Sequence, residues 1–212
     1  MKIRLTGLVV MALAFVGTAQ ASSVFEGRAA NGSVDLTCTA SGSTKCAMFY
    51  YRSLDITILN NWNTGTGIWG FPEVPGSAQY LVNRVASELT GLDGWYLPTG
   101  DGSQAGGSGN QFLSIWDAAG GTFSGLQANF DGVQSGAYWS SSILGLGDYS
   151  AWIFGTDGGG QAAIGFFNYF STLAVRPGDV APAAIPEPEV YVLMLAGLGL
   201  LAGVARRRNK QQ

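Results

Sequence analysis

Side chains able to attack, protonate or ligate are sparse in this chain of 212 residues, and one type is missing: it contains no histidine. That removes the commonest general base, the usual zinc ligand and every Ser-His-Asp or Cys-His arrangement. Lys45, the only lysine between residues 22 and 185, falls in the loop bounded by Cys38 and Cys46, so no serine or cysteine has a free base to activate it. Carboxylates remain. Asp131, Asp148 and Asp157 lie in one stretch and could include the acid and base of a glycoside hydrolase, yet their spacing selects no pair. Asp101, Asp131 and Asp157 each precede glycine. Carboxylates and loop carbonyls are calcium ligands, but with neither an EF-hand nor a nonapeptide repeat these Asp-Gly steps read first as turns. Asn31-Gly32-Ser33 has the form of a glycosylation sequon and likewise reads as a turn. The expectation is a chain with no catalytic residue, no metal site and no cofactor.

The two ends explain where the rest of the chain works. Lys2 and Arg4 precede an apolar run over residues 5–16, and Ala19-Gln20-Ala21 follows with the small residues of a signal-peptidase site. Residues 1–21 therefore read as a secretory signal peptide, and cleavage leaves Ser22 at the new terminus. In the oxidising compartment beyond, Cys38 and Cys46 are expected to form one disulfide. At the other end residues 190–205 carry no charge, and Arg206, Arg207, Arg208 and Lys210 follow within the cluster 206–210. As a helix this run measures about 24 Å against a hydrocarbon core of about 30 Å, so it spans the inner membrane only marginally, with the arginines kept on the cytoplasmic side.

Just before that run stands Ile185-Pro186-Glu187-Pro188-Glu189, where two prolines prevent helix and hold the backbone extended. Pro-Glu-Pro, a short apolar helix and an arginine cluster together resemble the PEP-CTERM sorting signal, with Pro186, Glu187 and Pro188 as the signal itself. The resemblance implies processing by a membrane-embedded exosortase in bacteria that make exopolysaccharide. It places the region between the ends outside the cell, held transiently by the tail and then at the cell surface or in the extracellular matrix.

That region, residues 22–180 followed by a linker into the tail of 181–212, is long enough for one domain. Residues 22–185 carry 12 acidic side chains against five basic ones, a net charge of −7, which makes nucleic acid a poor partner. Val34, Leu36 and Cys38 alternate with polar residues and a second run opens at Cys46, which predicts a hairpin. Residues 54–59 alternate as a strand. Ser77 caps a helix with Ala78, Leu81, Val82, Val85, Ala86 and Leu89 on one face, ended by Gly91. A second helix over 111–119 is capped by Asn110, with Phe112, Ile115 and Trp116 inward. Short strands are predicted at 138–142, 151–156, 162–167 and 173–176, separated by turns. The fold class expected is α+β, two helices with one antiparallel sheet.

Several short motifs occur in order: Leu54-Asp55-Ile56-Thr57, Gly94-Trp95-Tyr96-Leu97-Pro98-Thr99, Tyr138-Trp139-Ser140-Ser141, Ala151-Trp152 and Ala174-Val175-Arg176-Pro177-Gly178. Together they resemble the Lcl C-terminal domain family, which implies a compact C-type lectin-like domain in which the Trp and Leu-Pro-Thr segments brace helix against sheet. Trp139 and Trp152 read as buried strand residues, with sugar stacking as the sharper alternative. Tyr96 stands where that family usually has arginine and Ile58 where it has tryptophan. The Gly-rich stretch 100–109 is expected to be mobile. What the two resemblances imply is an exported, non-catalytic binding or structural module associated with exopolysaccharide. The alternative is a glycan-processing enzyme built on two of the three aspartates.

Overall fold

The computed structural model describes residues 24–42, 44–145 and 147–181. The residues read as a signal peptide (1–21), as a linker beyond residue 181, as an apolar run (190–205) and as a basic cluster (206–210) lie outside the described residues. Within those described, no helix is long and apolar enough to cross a membrane. The elements in chain order are β1 (Phe25–Arg28), β2 (Met48–Tyr51), β3 (Ile56–Leu59), β4 (Thr66–Gly67), α1 (Ala78–Thr90), α2 (Gln111–Ala118), α3 (Phe123–Asn129), β5 (Ala137–Ile143), β6 (Ser150–Gly155), β7 (Gln161–Gly165), β8 (Phe170–Ser171) and β9 (Val175–Pro177).

Among the described residues the class is α+β, with two sheets where one was expected and three α-helices where two were. The first sheet runs β1-β2-β3-β9, wholly antiparallel, so the first and last strands of the domain share it. The second runs β4-β8-β5-β6-β7 and is antiparallel except for β5 beside β8. The short pairs β4 and β8 carry too few residues to show alternation, which is why the sequence pattern merged everything into one meander.

Both sheets feed two buried clusters. Phe49, Ile58 and Val175 join Tyr138 and Phe154 against Phe112, Ile115 and Leu126 of α2 and α3. Their strand neighbours Met48, Leu59 and Ala174 join Trp139 and Ala151 against Ala78, Val82 and Ala86 of α1. Successive strand residues point to opposite faces, so a sheet covered on both faces loses its polar alternation; all four residues of β3 are buried. Ile58, at the position where tryptophan was the resemblance's usual residue, is fully buried here.

The helix ends follow the capping chemistry. Ser77 Oγ accepts from Tyr80 N (3.2 Å), and Gly91 closes α1 in the left-handed region at φ 69°. Asn110 Oδ1 accepts from Leu113 N (3.3 Å) at the start of α2. Of the face predicted for α1, Ala78, Val82 and Ala86 are buried while Leu89 is exposed.

The predicted hairpin over residues 34–51 does not form. The Asp35 carboxylate accepts from Thr37 N (3.0 Å), Thr37 Oγ1 (2.8 Å) and Cys38 N (3.1 Å), which curls 35–38 into a turn. β2 pairs instead with β1, a strand too short to stand out in sequence. Similarly, Arg52–Leu54 form a 3-10 turn, so the following strand starts at Ile56 rather than Leu54. The Cys38–Cys46 disulfide does form. It lies directly on β1 at Gly27, where a Cβ would run into both sulfurs and the Asp35 carbonyl. Replacing both cysteines with serine is expected to cost about 2 to 3 kcal/mol, the chain entropy of so short a loop. Urea unfolding of the double variant checks this, and an unchanged midpoint would contradict it.

Candidate functional site

The three aspartates are not assembled into a pair. Asp131 is fixed beside the disulfide loop: its backbone N donates to Asn60 Oδ1 (3.0 Å) and its carboxylate accepts from Lys45 Nζ (2.8 Å). Asp157 accepts from Ser135 Oγ (2.7 Å), while Asp148 lies in the turn between β5 and β6. No two of them share a hydrogen-bond partner. Asp101 accepts from Ser103 N (2.9 Å) and Asn110 Nδ2 (3.0 Å), and the Ser103 bonds hold its carboxyl below the ordinary range. Among the described residues no group of three His, Cys, Asp or Glu could hold a metal ion.

Trp139 offers no face to a ligand. It is fully buried, and its indole donates to Gly67 O (2.8 Å). Trp152 is half-buried, with its six-membered ring against Gly102, where no Cβ could fit. The glycine-rich stretch expected to be mobile is tied down there. Gln161 Nε2 donates to Ser103 O (3.1 Å), Gly107 N donates to Ser114 Oγ (2.6 Å) and Thr99 Oγ1 donates to Ser108 O (2.7 Å). Tyr96, in place of the resemblance's arginine, accepts from Gln111 Nε2 (2.9 Å), so a neutral bond braces the Leu-Pro-Thr segment on α2.

A concave feature of ligand-site size lies elsewhere among the described residues. An open cleft of about 630 Å³ runs between the loop after β4, α1 and the Gly94–Leu97 segment, with Trp69, Phe71 and Trp95 among its walls. Its volume falls within the range of ligand sites, which combine apolar walls with a few placed polar groups. Ser77 shapes one wall twice over. While capping α1 its hydroxyl donates to Phe71 O (2.7 Å), pinning the Phe71 loop to the helix start. Trp69 is fixed at both ends, with its indole on Ser140 O (2.9 Å) and its backbone N on Phe166 O (3.0 Å). Its ring stacks on Phe166 with centroids 4.4 Å apart and planes 18° apart, and Phe71 meets it edge-on at 5.6 Å.

Trp69 and Phe71 also wall a second hollow of about 310 Å³, completed by Ile143, Tyr149 and Phe166. Phe71 is 64% exposed and Tyr149 69%. Gln79 is used structurally, bridging Trp95 O (3.1 Å) and Leu97 N (3.2 Å). The side chains of Asn83, Ser87, Asp93 and Ser141 line the cleft without a hydrogen bond among the described residues. Sequence reasoning passed over Trp69 and Phe71; the available signal was two aromatics in a Gly- and Pro-rich loop, where no core strand or helix claims them.

The sorting residues Pro186, Glu187 and Pro188 and the arginines 206–208 lie outside the described residues. Searched as a whole, the chain matches no curated protein. Residues 184–209 match the PEP-CTERM protein-sorting motif, which supports an extracellular protein sorted by an exosortase.

Proposed function

We propose that this chain is a non-catalytic surface or matrix protein whose C-type lectin-like domain, residues 22–180, associates with exopolysaccharide after export. The sorting motif over residues 184–209 supports the reading, because a domain sent to the surface by an exosortase would lie where such polymer is. Two structural features support the lectin-like part. The first and last strands of the domain share one sheet, and the Trp95, Leu97 and Trp139 positions of the motif series meet α1 in one buried cluster. The aromatic cleft supports the binding part.

Mass spectrometry of the mature protein tests the address. In producing cells the chain is expected to lack the tail after processing. Full-length tail ending at Gln212 is expected both in cells without exosortase and for Glu187→Ala in normal cells. The same terminus at Gln212 in all three would sink the sorting reading.

A further inference from the structure

Resting on that reading, we infer that the cleft bounded by α1, Trp69 and Phe71, together with the hollow at Tyr149 that shares Trp69 and Phe71 with it, is a binding site for an uncharged glycan chain. The lining chooses the ligand class. Aromatic faces carry negative π density and accept the C–H face of a pyranose ring, whereas planar amides, carboxylates and hydroxyls bond its equatorial hydroxyls. Here Trp69 and Phe71 share the lining with Asn83, Ser87, Asp93 and Ser141, whose side-chain polar groups make no hydrogen bond among the described residues.

Charge narrows it further. The lining holds one carboxylate, Asp93, and no cation, while the nearest arginine on α1, Arg84, faces Glu88 and the Tyr80 ring. An acidic polymer entering this site would meet Asp93 with no cation in the lining to offset it; Arg176, whose guanidinium lies 5.9 Å from the centroid of the Trp95 ring, is not among the lining residues. The two hollows share Trp69 and Phe71 in their linings, so the fitting ligand is a chain long enough to engage both rather than a single sugar.

Tyr149 adds an independent sign. It holds φ 45°, the left-handed region that a bulky residue rarely adopts, and leaves its ring exposed 6.3 Å from Phe166. Such strain concentrates at binding sites, and glycine or asparagine would sit there at less cost if the turn alone mattered.

The test titrates the chain from Ser22 to Gln212, tail retained and kept in detergent, with neutral cello-, laminari- and manno-oligosaccharides, dimers to hexamers, and with alginate oligomers, following calorimetry and tryptophan fluorescence at low and high salt. At least one neutral series is expected to bind, more tightly with length and independently of salt. Phe71→Ala and Tyr149→Ala are each expected to weaken it about tenfold, as loss of a stacking anchor does, with Phe71→Trp retaining it. Both residues are exposed, so their thermal stability should match the parent and separates lost binding from lost folding. Preferential, salt-sensitive binding of alginate would overturn the inference, as would capture of apolar peptide in place of sugar. Binding of crude exopolysaccharide that neither alanine variant weakens would overturn this site while leaving the broader association intact. No binding of any carbohydrate, crude exopolysaccharide included, would end both.

Discussion

Phe130→Ala is expected to destabilise the domain by about 3 to 5 kcal/mol, the range for removing a large aromatic from a packed core. The ring is 1% exposed and has three aromatic neighbours: Phe25 at 4.9 Å, Trp62 at 5.0 Å and Phe49 at 5.6 Å between centroids. Those neighbours come from β1, from β2 and from the loop after β3. Phe130 itself ends α3, donating its backbone N to Leu126 O (2.8 Å). One side chain thus joins the first two strands of the first sheet to the third helix, and none of its neighbours can move into the vacancy without abandoning another contact. Close packing then leaves a cavity rather than a collapse. Urea unfolding should show the full loss, and Phe130→Leu, which keeps most of the volume, should cost less than half as much. A loss under about 1 kcal/mol for the alanine variant would mean the site relaxes freely, contrary to this packing.

Phe130 also marks where the sequence was hard to read. Helix α3 follows Gly120-Gly121 and contains Gly125 and two residues that favour turns, so its propensity points to loop. Only Thr122, whose Oγ1 accepts from Gly125 N (3.0 Å), and Leu126 one turn on announce it. Helices α1 and α2 were legible because cap, apolar face and stop signal agree at Ser77 and Gly91 and at Asn110 and Gly120. Strand pairing was not. Val34 and Leu36 alternate like a strand, but local Asp35 hydrogen bonds override the pattern and both aliphatic side chains stay exposed. The cleft was invisible for a related reason. The Trp69–Phe71 loop, Tyr149 and Phe166 are far apart in the chain and become neighbours only when β5, β6 and β7 set their loops beside the start of α1. The sorting tail is the opposite case, since its signal is linear and needs no fold to be recognised.

Arg28 is the second position where one substitution should act strongly, and its effect should depend on pH. Its side chain is 1% exposed, yet it is charged. Nε and Nη2 donate to the two oxygens of Asp179 (2.8 and 2.6 Å), Nη2 also reaches Glu26 (3.1 Å), and Nη1 donates to Gly27 O (3.0 Å). This cluster ties β1 to the segment after β9, where the chain leaves for the sorting tail. The hydrogen bonds from Arg28 hold Asp179 below the ordinary carboxyl range; those from Arg52, with Arg28 second, do the same for Glu26.

A carboxyl depressed in the folded state stabilises it fully above its unfolded value and ceases to do so as pH falls through its folded value. Stability from this cluster is therefore present at neutral pH and is lost on acidification below about pH 4, where unfolded carboxylates begin to take up protons. Arg28→Met keeps the apolar stem and removes the charge. At neutral pH it is expected to cost about 2 to 3 kcal/mol, below the usual 3 to 5 for breaking a buried pair because Asp179, one-third exposed, can rehydrate. Urea unfolding of parent and variant across the acid range should show the gap narrowing as pH falls, since protonated Asp179 and Glu26 no longer reward the guanidinium. A gap that stays constant with pH would show that the arginine acts by packing alone, and the clasp between the first strand and the exit to the tail would then owe nothing to charge.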